Sequence, residues 1–459
     1  MKRALLIIVI TLVGVISAFV DAFWGLLLHT WYSFGAPLEI SFGKFADSRL
    51  SFMIGGLLLL LTAQQYRRIL ILGGTSFFAM LYLLACFASL ASRLEFNLVS
   101  VISQMETLIK LVVVALLTPV LLDSRKKISL LIVVVVLSAS GLGAYYGFFG
   151  LLAGSRAIAG PGKFGDNNGY ATFLTSLLPF VVLCARYAKS ILHRLGFVAI
   201  LAGNIFALIL TFSRGGFLAS ATVLTLLAFQ IRLWLGAVVL FFGGLALTAT
   251  LSSTDGGLGI KFGNSAQPSV IEETMSEYQE RLRSLKNYQE EDLGSAASRF
   301  HFWQIALDMF LEHPVLGVGF GRYSDEYDNF DTSNGKFGRG RSVHNTFLAV
   351  LSETGMIGSA CFVMIFGFAA LSFIRAYRVL SITPLRDTDG GARSTIVCAF
   401  ISATGFVVGG SFLNCIHHES IWLFVSLSIA LERYALGFVE SVPAKDAVEG
   451  QVLLPQEAA

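Results

Sequence analysis

Charge is what this sequence has least of. Only 14% of its 459 residues are Asp, Glu, Lys or Arg, against roughly 25% in an ordinary soluble domain. Hydrophobic residues make up 55%, and the mean hydropathy is +0.72. A soluble globular chain is excluded for most of the length, so lipid is the solvent. A net charge of +3 with no basic block gives no footing for nucleic acid. There are five cysteines: Cys86, Cys184, Cys361, Cys398 and Cys415. No CxxC spacing occurs, and the first four sit in apolar runs. They read as small buried residues, with no disulfide framework and no thiolate metal site. HExxH and Walker patterns are missing too, so neither a metal nor a nucleotide cofactor is supported. No internal repeat is visible.

What is present is a succession of apolar runs. A membrane span needs about 20 predominantly apolar residues. That rule predicts an all-α polytopic membrane protein with about twelve spans, at 4–20, 50–64, 69–91, 98–121, 128–149, 168–185, 195–212, 215–230, 233–251, 345–374, 394–414 and 419–438. The apolar stretch 23–34 is short for a span and reads as interfacial or re-entrant. Met1-Lys2-Arg3 before an apolar run, with small residues at Ser17 and Ala18, also fits a signal peptide. An uncleaved first span is preferred because so many others follow.

Lys and Arg in short loops set orientation. With the N-terminus in the cytoplasm and strict alternation, the inner loops carry Arg67, Arg68, Arg125, Lys126, Lys127, Arg186, Lys189, Arg194, Arg232, Arg375, Arg378, Arg386 and Arg393. The short outer loops carry fewer cations. The expected organisation is therefore N-terminal membrane helices over 1–251, an extracytoplasmic helical loop over 252–344, further membrane helices over 345–438 and a cytoplasmic tail over 439–459. Every polar constellation then falls on the outer face.

The long outer segment has its own helical pattern. Residues 272–291 read as a solvated helix. Ser295 is placed to cap a second one, along which Phe300, Trp303, Leu307 and Phe310 recur as an apolar stripe. Pro314 ends that helix, and the turn "GVGFGR" (317–322) follows. The expectation is a small helical cap over the membrane domain.

Several polar residues stand out against this background. Arg214, in "TFSRGGFLA", offers a permanently charged planar fork suited to phosphate oxygens; position alone also suits an arginine reaching for lipid headgroups. Asp166, Asn167 and Asn168, in "GPGKFGDNNGYA", either cap the next helix or contact substrate, and a capped N-terminus is itself an anion site. Arg299 and Arg322 bracket the cap stripe and turn. His344 and Asn345 stand at the threshold of a span. Histidine can take up a proton near neutral pH, and the plainer alternative is an interfacial histidine with a helix cap. Glu353, deeper in the same span, is costly in lipid and calls for a partner, such as a histidine or arginine of the bundle. Glu106 and Lys110 read as a self-neutralising pair one turn apart. The run His417-His418-Glu419 is a weak metal signal.

Taken together, "SRGG", "HPVLGVGFG" and "HNTFLAVLSETGMIG" resemble the O-antigen ligase and polymerase superfamily of membrane glycosyltransferases, in the same order along the chain. The segment "GPGKFGDNNGYATFLTSLLPF" resembles the O-glycosylation ligases that accompany exosortase systems. The resemblance implies en bloc transfer of a glycan from an undecaprenyl-pyrophosphate carrier to a protein or lipid acceptor. It places the reaction on the periplasmic face of the bacterial inner membrane, without cofactor or metal. It assigns His344 as the catalytic histidine and Arg214 and Arg299 to the donor pyrophosphate, with Arg322 a weaker third. A polymerase of the same fold is the near alternative, and a lipid-linked glycan transporter the distant one. A transporter, however, tends to place its charges near the midplane between repeated halves.

Overall fold

The computed structural model describes residues 2–37, 49–63, 73–92, 98–153, 167–211, 213–230, 296–382 and 390–440. Every regular element among the described residues is helical. The helices are α1 (Lys2–Val20), α2 (Ala22–Gly35), α3 (Arg49–Thr62), α4 (Gly74–Ala91), α5 (Leu98–Leu121), α6 (Arg125–Val135), α7 (Gly141–Ala153), α8 (Asn167–Tyr187), α9 (Ile191–Leu210), α10 (Arg214–Gln230), α11 (Ala296–Glu312), α12 (Tyr323–Phe330), α13 (Thr346–Ile382), α14 (Gly390–Gly410) and α15 (Glu419–Glu440).

Eight segments are long and apolar enough to cross a membrane: α4, α5, the joined α6–α7, α8, α9, α13, α14 and α15. The apolar parts of α1, α3 and α10 are shorter. Eleven of the twelve expected spans thus have a helix, although only eight are of spanning length; the twelfth, 233–251, lies outside the described residues. So do the expected helix over 272–291, its neighbour's cap Ser295, and the tail beyond 440.

Between α6 and α7 the chain makes one π-helical turn, Val136–Ser140. The Ser140 carbonyl accepts a hydrogen bond from Asn204 Nδ2 of α9 at 2.8 Å. The buried amide in an otherwise apolar helix thereby serves backbone that the π-turn disturbs.

The segment 23–34 is neither loop nor surface helix. It forms α2, whose Asp21 caps it through the Phe23 amide at 2.9 Å, and most of its residues are buried. Thr11 of α1 meets Tyr32 of α2 at 2.5 Å, and a side chain on Gly25 would press on Ala18. The two helices are therefore antiparallel. Asp21, at their joint, pairs with Lys127 at the start of α6, 3.2 Å away. Strict alternation from the N-terminus, which ignored α2, had α1 running away from the end that holds Lys127. The structure has it running toward that end, because α2 adds one more pass of chain that a span-length rule does not register.

The remaining directions agree with alternation. Tyr187 of α8 bonds Ser394 of α14 at 2.8 Å, beside Arg125 and Gly391. Arg433 of α15 reaches the Pro119 carbonyl of α5 at 3.4 Å. Arg125, Lys127, Arg186, Lys189, Arg194 and Arg393 consequently share one end of the bundle. Helices α8, α10, α13 and α15 all begin at the other end.

The segment expected to form the cap, called the cap below, comprises α11, α12 and the loop to 345. Its core is Phe302, Ile305, Ala306, Met309, Val318, Tyr323 and Tyr327, with Val343 and Ala349 from the approach to and first turn of α13. The helical period on α11 was read correctly but its phase was not. Phe300 is 56% exposed and Leu307 39% exposed; of the expected stripe, Trp303 packs at the edge of the cap core. The buried face is 302/305/306/309, and α11 is apolar on both sides.

All five cysteines are buried and free. Glu106 is exposed and forms no ion pair with Lys110 among the described residues.

Candidate functional site: a cluster of helix starts beneath the cap

The end where α8, α10, α13 and α15 begin is tied together by polar side chains. Asn167 Nδ2 donates to the Thr211 carbonyl at 2.8 Å. Ser213 Oγ donates to Asn168 Oδ1 at 2.8 Å and accepts from the Gly216 amide at 3.0 Å, acting as a cap for α10. The two asparagines therefore hold the "SRGG" turn against α8. Gly216 packs against Ala171, and Gly215 leaves room for Phe412, whose Cβ would lie 2.9 Å from an added Cβ. Of Arg214 the structure describes the backbone, which begins α10. Asp166 lies outside the described residues.

Phe412 belongs to the α14–α15 loop, and that loop is bolted to α13. Thr346 Oγ1 donates to the Leu413 carbonyl at 2.7 Å and accepts from the Cys415 amide at 2.9 Å. Asn345 is the N-cap of α13, with Oδ1 accepting from the amides of Phe347 (2.9 Å) and Leu348 (3.1 Å). His344, just before it, has φ +50. That is the left-handed region, which costs a non-glycine residue about 1–2 kcal/mol. Strain of this kind clusters at functional sites. The half-buried His344 ring lies 6.2 Å from Phe302 of the cap, and Arg299 is one helical turn before Phe302 on α11.

The cap loop is itself anchored. Asp331 accepts from the amides of Ser333 and Gly335, both at 2.8 Å, and meets His301 Nε2 at 2.7 Å. Burial of Asp331 opposes its charge, but these donors outweigh it and hold its carboxyl well below the usual range.

The "GVGFG" turn pairs with a break in α13. Helix α13 is broken at Gly355, where φ is +60. In an unbroken helix the amides of Met356 and Ile357 would bond the carbonyls of Ser352 and Glu353. Here those carbonyls accept from Val318 (2.9 Å) and Gly319 (3.1 Å), while the amides donate to Pro314 (2.8 Å) and Val315 (3.4 Å). These four groups all find backbone partners within 314–319. The contact is backbone to backbone: a Cβ on Gly355 would lie 2.5 Å from Val315, and one on Gly317 would strike Glu353.

Glu353 completes this joint. Its carboxylate accepts from the Gly321 amide (3.1 Å) and the Tyr323 amide (3.3 Å), at the start of α12. The expected histidine or arginine partner is replaced by helix-start amides, an equally good home for a buried acid. Ser89 of α4 donates to the Glu353 carbonyl at 2.6 Å. Arg322 is fully buried and gives Nη2 to Glu326 Oε1 at 2.6 Å.

Residues 195–363 match the family model described as O-Antigen ligase. This segment is similar to the O-antigen ligase family. The match spans α9, the "SRGG" turn, the cap, the His344 threshold and the break at Gly355. No curated protein matches the chain. Two contributors to this end lie outside the O-antigen ligase match, the Asn167–Asn168 start of α8 and the loop 411–418.

That loop was underrated from sequence. The His417 ring sits 5.8 Å from Phe320 of the "GVGFG" turn, and its Nδ1 is buried with no hydrogen-bond partner among the described residues. Loss of water, and then the neighbouring His418, push its pKa down to about 4. The available signal was a polar run, "NCIHHES", between two apolar helices at the end that also holds "SRGG" and "HNT".

Proposed function

We propose that this chain transfers a glycan en bloc from an undecaprenyl-pyrophosphate carrier to a protein or lipid acceptor, on the periplasmic face of the bacterial inner membrane. The observation that carries the reading is the meeting, at one end of the bundle, of the "SRGG" turn, the strained His344 threshold and the cap, all within the O-antigen ligase match. The opposite end holds most of the loop cations, and the positive-inside rule then directs the site outward.

In the reaction, the acceptor hydroxyl attacks the anomeric carbon of the donor sugar. The bond from that carbon to the pyrophosphate oxygen breaks, and undecaprenyl pyrophosphate leaves. His344 takes the hydroxyl proton. Arg214 and Arg299 hold the pyrophosphate and stabilise the charge it gains. Arg322 is a poorer candidate for the donor, since reaching it requires the turn to open and its pairing with Glu326 to be replaced. Glu353, Asn345, Asn167 and Asn168 build the site. His417 is a second candidate base, favoured by its neutral, unpartnered Nδ1. The exosortase-linked protein acceptors suggested by the "GPGKFGDNNGYA" segment are one form of the same reaction.

The test is the size distribution of carrier-linked glycan in cells carrying wild type, Arg214→Ala, His344→Ala or His417→Ala at equal expression. The expected result is full-length glycan accumulating on the carrier with the acceptor bare. Accumulation of single repeat units identifies a polymerase instead, and unchanged pools in all variants overturn both readings.

A further inference from the structure

At the end of the bundle farthest from His344, helices α6, α8, α9 and α14 surround a cavity of about 770 Å³. That lies within the ~300–1,000 Å³ range of small-molecule sites. Arg125, Lys189 and His193 stand at its mouth, and none of its lining residues is acidic. The acids nearest along the chain are Asp123, held by Lys127 at 3.0 Å, and Asp389, which lies outside the described residues. The walls are apolar, with Ile132 and Leu137 from α6 and its π-turn, and Phe197 from α9. From Arg125 to Leu137 the wall runs about 18 Å along a helix. The cavity therefore has a basic rim and a deep hydrocarbon interior. It opens beside α9, whose Ile191, Leu192 and Leu195 are 68%, 74% and 57% exposed, so it is reached sideways from the membrane.

A soluble anion matches the rim and not the walls. A neutral lipid matches the walls and not the rim. We propose that this cavity binds an acidic phospholipid of the adjoining leaflet, its phosphate at Lys189 and His193 and one acyl chain along α6. Nothing in the glycan-transfer reading calls for this site, and it stands apart from the end where that reaction is placed.

Gly196 lines the cavity, and a side chain built on it meets nothing within 4 Å. Gly196→Trp should therefore fill the space without disturbing the fold, while Lys189→Glu with His193→Glu reverses the rim. The experiment is native mass spectrometry of the full chain, equilibrated with equal amounts of phosphatidylglycerol and phosphatidylcholine. Near a membrane surface each cation is worth about a fivefold preference for an anionic lipid, so the wild type should retain phosphatidylglycerol at least that strongly over phosphatidylcholine. The charge-reversed variant should lose the preference, and Gly196→Trp should lose the retained lipid. Equal retention of the two lipids by wild type, or undiminished phosphatidylglycerol in both variants, overturns the proposal. Displacement of phosphatidylglycerol by excess inorganic phosphate also overturns it, by showing that the rim reads phosphate alone. Circular-dichroism melts confirm that each variant compared is folded.

Discussion

Glu353 sits in an apolar helix and holds the amides of Gly321 and Tyr323. Glu353→Ala leaves both amides buried without a partner, at a cost of about 1–3 kcal/mol for each. The expected result is a clear drop in melting temperature, with Glu353→Gln recovering part of it. His417 gives a pH-dependent counterpart. Its folded pKa of about 4 lies below the ordinary value near 6.5, so the unfolded chain binds more protons between those values. A destabilising contribution therefore appears as pH falls below about 6.5 and stops growing near the folded value. Melting temperature measured from pH 7.5 to pH 5 should fall in wild type and fall less in His417→Gln. From sequence, the cost of Glu353 in lipid was legible. Its partners were not, because backbone amides are invisible to a search for opposite charge.

At the level of elements, the decisive feature is the exchange between the "GVGFG" turn and the break in α13. Both halves stand out in the sequence as glycine-rich motifs. Their pairing does not, since it joins backbones more than thirty residues apart. Gly355→Ala places a methyl against Val315 and strains a φ of +60. Overpacking of this kind costs about 1–3 kcal/mol. The predicted outcome is faster hydrogen exchange at the amides of Val318 and Gly319, measured against α8 as an internal reference. Helix existence was legible almost everywhere from apolar run length. The exceptions have physical causes: α2 is only 14 residues long and is stabilised by burial in the bundle, and α11 is apolar on two faces, so composition could not choose which one packs.

For the whole molecule, the central question is sidedness. The five native cysteines are buried, so a single exposed cysteine can report position. Lys336→Cys on the cap should react with a membrane-impermeant maleimide in intact spheroplasts. Arg194→Cys, at the opposite end, should react only after the membrane is opened. The reverse pattern would turn the site to the cytoplasm. Which helix ends share one side was legible from the alternation of charge for most of the bundle, and α1 departed from it because α2 intervenes. The role of the site is tested most directly by reconstituting the purified chain with a labelled undecaprenyl-pyrophosphate glycan and its acceptor, and timing release of the carrier. General-base catalysis contributes roughly 10²–10⁴-fold, so His344→Ala should slow acceptor-dependent release by at least about 100-fold while the protein remains folded. Release at the wild-type rate by His344→Ala would contradict the account.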